Sequence, residues 1–122
     1  MGQDTWLRML DMRGKDAHAL ILPFVLAHTG VIATLVFAGD SLQESNIQLL
    51  LATWAVLGSA WTLLWLDGCL QDFGLGAKDM DPEIAATHMG KSFAKMPFTI
   101  FRVFNAAVTV LIVAAELNVI YG

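Results

Sequence analysis

The feature that most constrains this chain is the stretch Ala17–Gly39, AHALILPFVLAHTGVIATLVFAG, which carries no formal charge between Asp16 and Asp40. A membrane-spanning helix takes roughly 20 apolar residues at about 1.5 Å each, so this run is long enough to cross a bilayer. In hydrocarbon the backbone must satisfy its own polar groups, which makes the span helical. His28 lies close to the middle of the run. An ionisable ring at that depth is costly unless it is neutral and partnered, and it therefore marks a candidate functional site.

Two further stretches have the same character. Ile47–Leu66 is uncharged until Asp67, and a third run extends from Met96–Pro97 to Tyr121. The chain is 57% hydrophobic and 15% charged, against about 25% charged residues in a typical soluble domain. Its apolar residues come in blocks too long for a small globular core. The expected fold is all-α and integral to a membrane, one domain over residues 1–122. It comprises an amphipathic surface helix at 3–13, spans at 17–39, 47–66 and 96–121, and a polar loop at 68–95. Trp6, Met9, Leu10 and Arg13 follow helical spacing and Gly14 is the expected stop. Within the loop, Asp81–Pro82–Glu83 reads as a helix start and Gly90 as its end, which predicts a short helix over 82–89.

Charge sets the expected orientation. With three spans, Arg8, Arg13, Lys15, Lys78, Lys91, Lys95 and Arg102 fall on one side, and these are all seven basic residues of the chain. The positive-inside rule then places the N-terminus in the cytoplasm and Gly122 outside, as in a bacterial inner membrane or its equivalent. The N-terminus lacks a cleavable secretory pattern, so the first span is expected to be retained.

Each span carries a patterned face. Pro23 deprives the first helix of the bond to the Ala19 carbonyl and predicts a bend. Ala27, Gly30, Thr34 and Ala38 form one expected small-residue seam, and Ala52, Ala55, Ser59 and Thr62 form another. Trp54, Gly58, Trp61 and Trp65 make a tryptophan stripe on the second span, with Trp65 at the depth of the interfacial belt. Trp54 and Trp61 lie deeper, where they can pack on a neighbouring subunit or lipid, or line a flat cofactor. Arg102, Asn105, Thr109 and Glu116 share one side of the third span. Such a stripe serves hydrogen bonding between helices, a proton or ion path, or contact with a cofactor or lipid headgroup.

Several classes of function are disfavoured. There is no basic-aromatic cluster, which argues against nucleic acid as a partner. The single cysteine, Cys69, permits no intramolecular disulfide. Asp79, Asp81, Glu83 and His88 lack the calcium-loop pattern and read as a solvated acidic loop. The three histidines are scattered, no serine stands beside one in a recognisable turn, and no phosphate-binding glycine loop is present. A self-contained enzyme is not expected.

What remains centres on His28. A neutral imidazole in a dry helix can bond a neighbouring helix, relay a proton, or ligate haem iron or (bacterio)chlorophyll magnesium. His18 lies about 15 Å away along the same helix and cannot serve the same metal. In size and three-span layout the chain resembles the membrane-anchor subunits of succinate dehydrogenase and fumarate reductase, with no residues carried over. The expectation is a small non-catalytic accessory subunit of an energy-transducing complex, respiratory or photosynthetic. It would pack against partner subunits, lipid or pigments, with His28 as the metal ligand of a tetrapyrrole and Trp54 and Trp61 beside the macrocycle. The alternative is a homo-oligomeric transporter or channel, in which His28 and the Arg102–Glu116 face line a polar path.

Overall fold

Three long helices dominate the computed structural model, which describes residues 2–122. Helix α1 spans Gln3–Phe37, α2 Ser45–Lys78 and α5 Phe98–Tyr121, and each is long and apolar enough to cross a membrane. A 3-10 turn, Gly39–Gln43, joins α1 to α2. Two short helices, α3 (Pro82–Ala85) and α4 (His88–Lys95), join α2 to α5. Helix α2 is central: it packs along both α1 and α5, whereas α1 and α5 meet only sparsely.

The expected surface helix at 3–13 does not form as a separate element. Helix α1 runs through Gly14 without a break, because its first turns are held against the polar continuation of α2. The Trp6 indole Nε1 donates to the Gly76 carbonyl at 2.8 Å. Leu10 packs closely over Gly76 as well, and a Cβ there would lie 2.9 Å from Leu10 Cδ2, so a larger residue would make that side chain shift. Below the apolar spans, Trp6, Phe73, Phe93 and Phe98 form a chain of aromatic contacts with centroids 5.3–6.2 Å apart. Edge-to-face and tilted pairs of this kind add to the area they bury. They tie α1, α2, α4 and α5 together at one end.

The polar loop is also more helical than expected. Helix α2 continues to Lys78, and the expected single helix over 82–89 is interrupted at 86–87. Thr87 caps α4 by accepting from the Gly90 N–H at 3.0 Å. Gly90 therefore sits inside α4 rather than ending a helix. A Cβ at Gly90 would come within 1.9 Å of the Ile84 carbonyl oxygen, so glycine is needed where α4 crosses α3.

Charges gather at the same end. Arg102 grips Asp67 with two parallel bonds, Nε to Oδ1 at 2.8 Å and Nη2 to Oδ2 at 2.9 Å. This fork geometry joins α2 to α5 where both leave their apolar runs. Arg13 bonds Asp16 at 3.2 Å and places Nε 2.6 Å from Asp72 Oδ2, linking α1 to α2 at that level.

The faces of the spans sort differently from expectation on α1. Its inward face is Phe24, Ala27, His28 and Val31, while Gly30 and Thr34 are exposed. The expected seam at Ala27, Gly30, Thr34 and Ala38 is thus not the packed face. A small residue permits close approach without requiring it, and the polar ring of His28 decides which side turns inward. On α2 the small residues Ala52, Ala55 and Ser59 are buried. Trp54, Trp61 and Trp65 face outward, toward what would be lipid in a membrane.

Neighbouring positions of α2 should respond oppositely to added volume. Ala55 is 1% exposed, so Ala55→Leu should destabilise the bundle by about 1–3 kcal/mol through overpacking. At Gly58 nothing lies within 4 Å of an added Cβ, so Gly58→Ala should be neutral or stabilising by up to about 1 kcal/mol. Unfolding in mixed micelles would measure both.

Candidate functional site

Each long helix contributes one polar side chain to a single buried cluster. His28 comes from α1, Ser59 from α2 and Glu116 from α5, with relative exposures of 9%, 3% and 4%. His28 Nδ1 lies 2.5 Å from Glu116 Oε1, and His28 Nε2 lies 2.9 Å from Ser59 Oγ. Phe24, one turn before His28, covers the imidazole with ring centroids 4.3 Å apart. Among the described residues, the His28–Glu116 contact is the only hydrogen bond between α1 and α5.

The sequence places these residues locally by simple means. On α1, Phe24, His28 and Val31 follow i, i+4, i+7 and share the inward stripe. On α2, Ser59 continues the small face begun by Ala52 and Ala55. On α5, Arg102, Asn105, Thr109 and Glu116 all lie on the buried or half-buried side of the helix.

The hydrogen-bond pattern accepts two proton counts without moving a heavy atom. With one ring proton on Nδ1, the imidazole donates to Glu116 and Nε2 accepts from the Ser59 hydroxyl. With both nitrogens protonated, the ring donates on both sides and the hydroxyl rotates to accept. One oxygen of the carboxyl group, Glu116 Oε2, is buried and has no hydrogen-bond partner.

Hydroxyl, imidazole and carboxylate also stand in the order used for acyl transfer, a convergence that the scattered spacing of the residues concealed. The surroundings of Ser59 differ from such a centre. Ser59 lies well inside α2, where helix backbone amides are committed to the ladder. No pair of free N–H donors flanks Oγ to hold an oxyanion. The arrangement suits proton binding better than nucleophilic attack.

Two clefts flank the cluster. A cavity of about 250 Å³ lies between α1 and α2, with His28 and Ser59 on its wall beside Phe24, Ala27, Trp54 and Gly58. A second, of about 310 Å³, lies between α1 and α5 toward their C-terminal ends, with Glu116 as its one polar lining residue. Below the cluster, Thr109 Oγ1 donates to the Asn105 carbonyl at 2.9 Å, and Asn105 Nδ2 is buried without a partner.

Of the residues singled out from sequence, His28 and Glu116 meet directly. Asn105 and Thr109 line the same inward face without bonding His28, and Arg102 ends the stripe on Asp67. Trp54 borders the first cavity, whereas Trp61 is 75% exposed and turned away from the cluster. Both His28 nitrogens are engaged within the chain, so axial ligation of a tetrapyrrole would require Nε2 to leave Ser59 Oγ. Among the described residues no group of three or more His, Cys, Asp or Glu side chains could hold a metal ion. Ser59 and Asp67 were not legible as partners. Ser59 read as packing, and Asp67 only marked the end of a span. The usable signal was that Asp67 and Arg102 fall at the same membrane boundary.

No protein family matches this sequence, and comparisons with curated proteins and with solved structures give no significant match.

Removing His28 leaves the buried Glu116 carboxyl group without its partner. His28→Leu should cost about 3–5 kcal/mol of bundle stability, and the double variant His28→Leu/Glu116→Met should recover most of that loss. Equilibrium unfolding of the four variants in a double-mutant cycle checks this.

Proposed function

We propose that this multi-pass membrane protein binds and releases a proton at mid-membrane, as the proton-coupled element of a transport or energy-transducing assembly. The observation that supports this is the buried Ser59–His28–Glu116 cluster. Ionisable side chains within spans are rare because they are expensive, and those retained generally serve ion or proton pathways. Here the cluster offers both a charged and a neutral bonding pattern on one fixed frame. The inward face of α5 carries further polar groups toward the charged end, Thr109, Asn105 and Arg102, with Thr109 two turns away from Glu116.

In this reading the end bearing Arg13, Lys78, Lys91 and Lys95 faces the cytoplasm, as the distribution of basic residues favours. A bacterial inner membrane is one setting that fits.

A second reading is the accessory subunit of a larger respiratory or photosynthetic complex. It is favoured by a separate observation, the outward row of Trp54, Trp61 and Trp65 on α2. Such a face can seat a partner subunit, lipid or a flat pigment. In that case His28 would have to exchange Ser59 for a metal before it could serve a tetrapyrrole. The two readings are compatible, since a subunit can both dock through α2 and hold a proton inside.

The proton reading is tested with purified protein in lipid nanodiscs, by following proton uptake with an indicator dye after an acid jump. The wild type should take up more protons than Glu116→Gln and more than His28→Gln, since each variant removes one of the two ionisable groups of the cluster. Equal uptake by the wild type and both variants would contradict it.

A further inference from the structure

From the α1–α5 cleft we infer that Glu116 also receives a lipophilic organic cation, such as a quaternary ammonium or phosphonium, in exchange for a proton. The inference rests on the proton-binding reading and names what is exchanged. The cleft holds about 310 Å³, at the lower end of the range of small-molecule sites. Its walls include Ile32, Leu35, Val36, Ala115 and Val119, and its one polar lining residue is Glu116.

Two properties of the cleft select the occupant. Its walls demand a molecule that is apolar over nearly all its surface. An ionised Glu116 favours positive charge beside it: Oε1 is held by His28, whereas Oε2 is buried and has no partner among the described residues. A lipid acyl chain would satisfy the walls and leave that oxygen unpaired. An anionic or strongly hydrated ligand would be repelled by the carboxylate or stripped of water at high cost. A bulky organic cation carries diffuse charge, loses little hydration, and meets a carboxylate in a medium where attraction is weakly screened.

Oε2 is enclosed as it stands, so the Glu116 side chain must turn toward the cleft it borders before a ligand meets it. The exchange balances simply. The protonated pair gives up one proton to solvent, and the cation takes its place beside the carboxylate. The only covalent bond broken is that to the proton, and the His28–Glu116 hydrogen bond adjusts as the carboxyl group turns. Proton and cation then compete for one site, and each must weaken the other by the same factor.

Tetraphenylphosphonium is the probe, because it carries no exchangeable proton and any proton released on binding comes from the protein. Saturable binding to the full chain in nanodiscs should weaken as pH falls and should release protons into dye-containing buffer. Glu116→Gln should lose saturable binding. Ala115→Phe, which fills the cleft while keeping the His28–Glu116 pair, should lose it as well, and Trp61→Phe on the outer face should retain it. Because Ala115→Phe leaves the polar cluster in place, a folding failure of Glu116→Gln does not blunt the test.

Unchanged binding in Glu116→Gln would overturn the inference, since the probe would then be partitioning into lipid. Loss in Glu116→Gln with full retention in Ala115→Phe would overturn the assignment to this cleft. Normal acid-jump proton uptake without saturable cation binding would defeat the cation inference and leave the proton reading standing. Cation binding that ignores pH and releases no proton, in a protein with no Glu116-dependent uptake, would defeat the proton reading instead.

Discussion

The contact on which this bundle depends is the bond between His28 Nδ1 and Glu116 Oε1, 2.5 Å apart. Helices α1 and α5 otherwise have little to do with one another, since α2 lies along both. In lipid there is no hydrophobic gain from bringing two apolar helices together, so packing and polar bonds decide which faces meet. A buried imidazole and a buried carboxyl group each need a partner, and only one helix rotation for α1 and α5 satisfies both. Ser59 then completes the ring's second bond from the central helix. Three helices are thereby fixed in rotation by three side chains.

That dependence explains the division of labour along the molecule. At the charged end the bundle is closed by aromatic contacts around Phe98 and by ion pairs, Arg102 on Asp67 and Arg13 beside Asp72. These hold register without requiring polarity in the apolar zone. Further in, the buried polar residues are His28, Ser59, Thr109 and Glu116, whereas the exposed Thr29 and Thr34 of α1 return their hydroxyls to their own helix. The outside is left to Leu, Val, Ile, Phe and Trp, which suits lipid contact. A chain fastened in this way tolerates ionisable side chains at its centre, because those side chains also join its helices.

The spans were legible because uncharged runs of about 20 residues have few other uses. The inward face of α5 was legible for a related reason: Arg102, Asn105, Thr109 and Glu116 are expensive to show to lipid and recur on one side. The small face of α2 showed itself through Ala52, Ala55 and Ser59. On α1 the same logic failed, since Gly30 and Thr34 are tolerated in lipid and carry no demand to be buried. His28 carried that demand and overrode them. The continuity of α1 past Gly14 was hidden because a glycine reads as a stop until its neighbour, here the extension of α2, is known. The pairing of His28 with Glu116, 88 residues apart, had no sequence signature beyond both being ionisable and inward. Depth along separate helices had to be settled by three-dimensional packing.

The most direct test of the central claim is nitrogen NMR of the His28 ring, in protein labelled at histidine and reconstituted in bilayers. At alkaline pH the account predicts a neutral ring with its proton on Nδ1, hydrogen-bonded to Glu116, and Nε2 accepting from Ser59. On acidification the Nε2 signal should move to that of a protonated nitrogen while Nδ1 keeps its bond, and Glu116→Gln should displace the transition. A ring that carries its proton on Nε2 at alkaline pH, or titrates identically with and without the Glu116 carboxyl group, would contradict the pairing from which the proposed function is drawn.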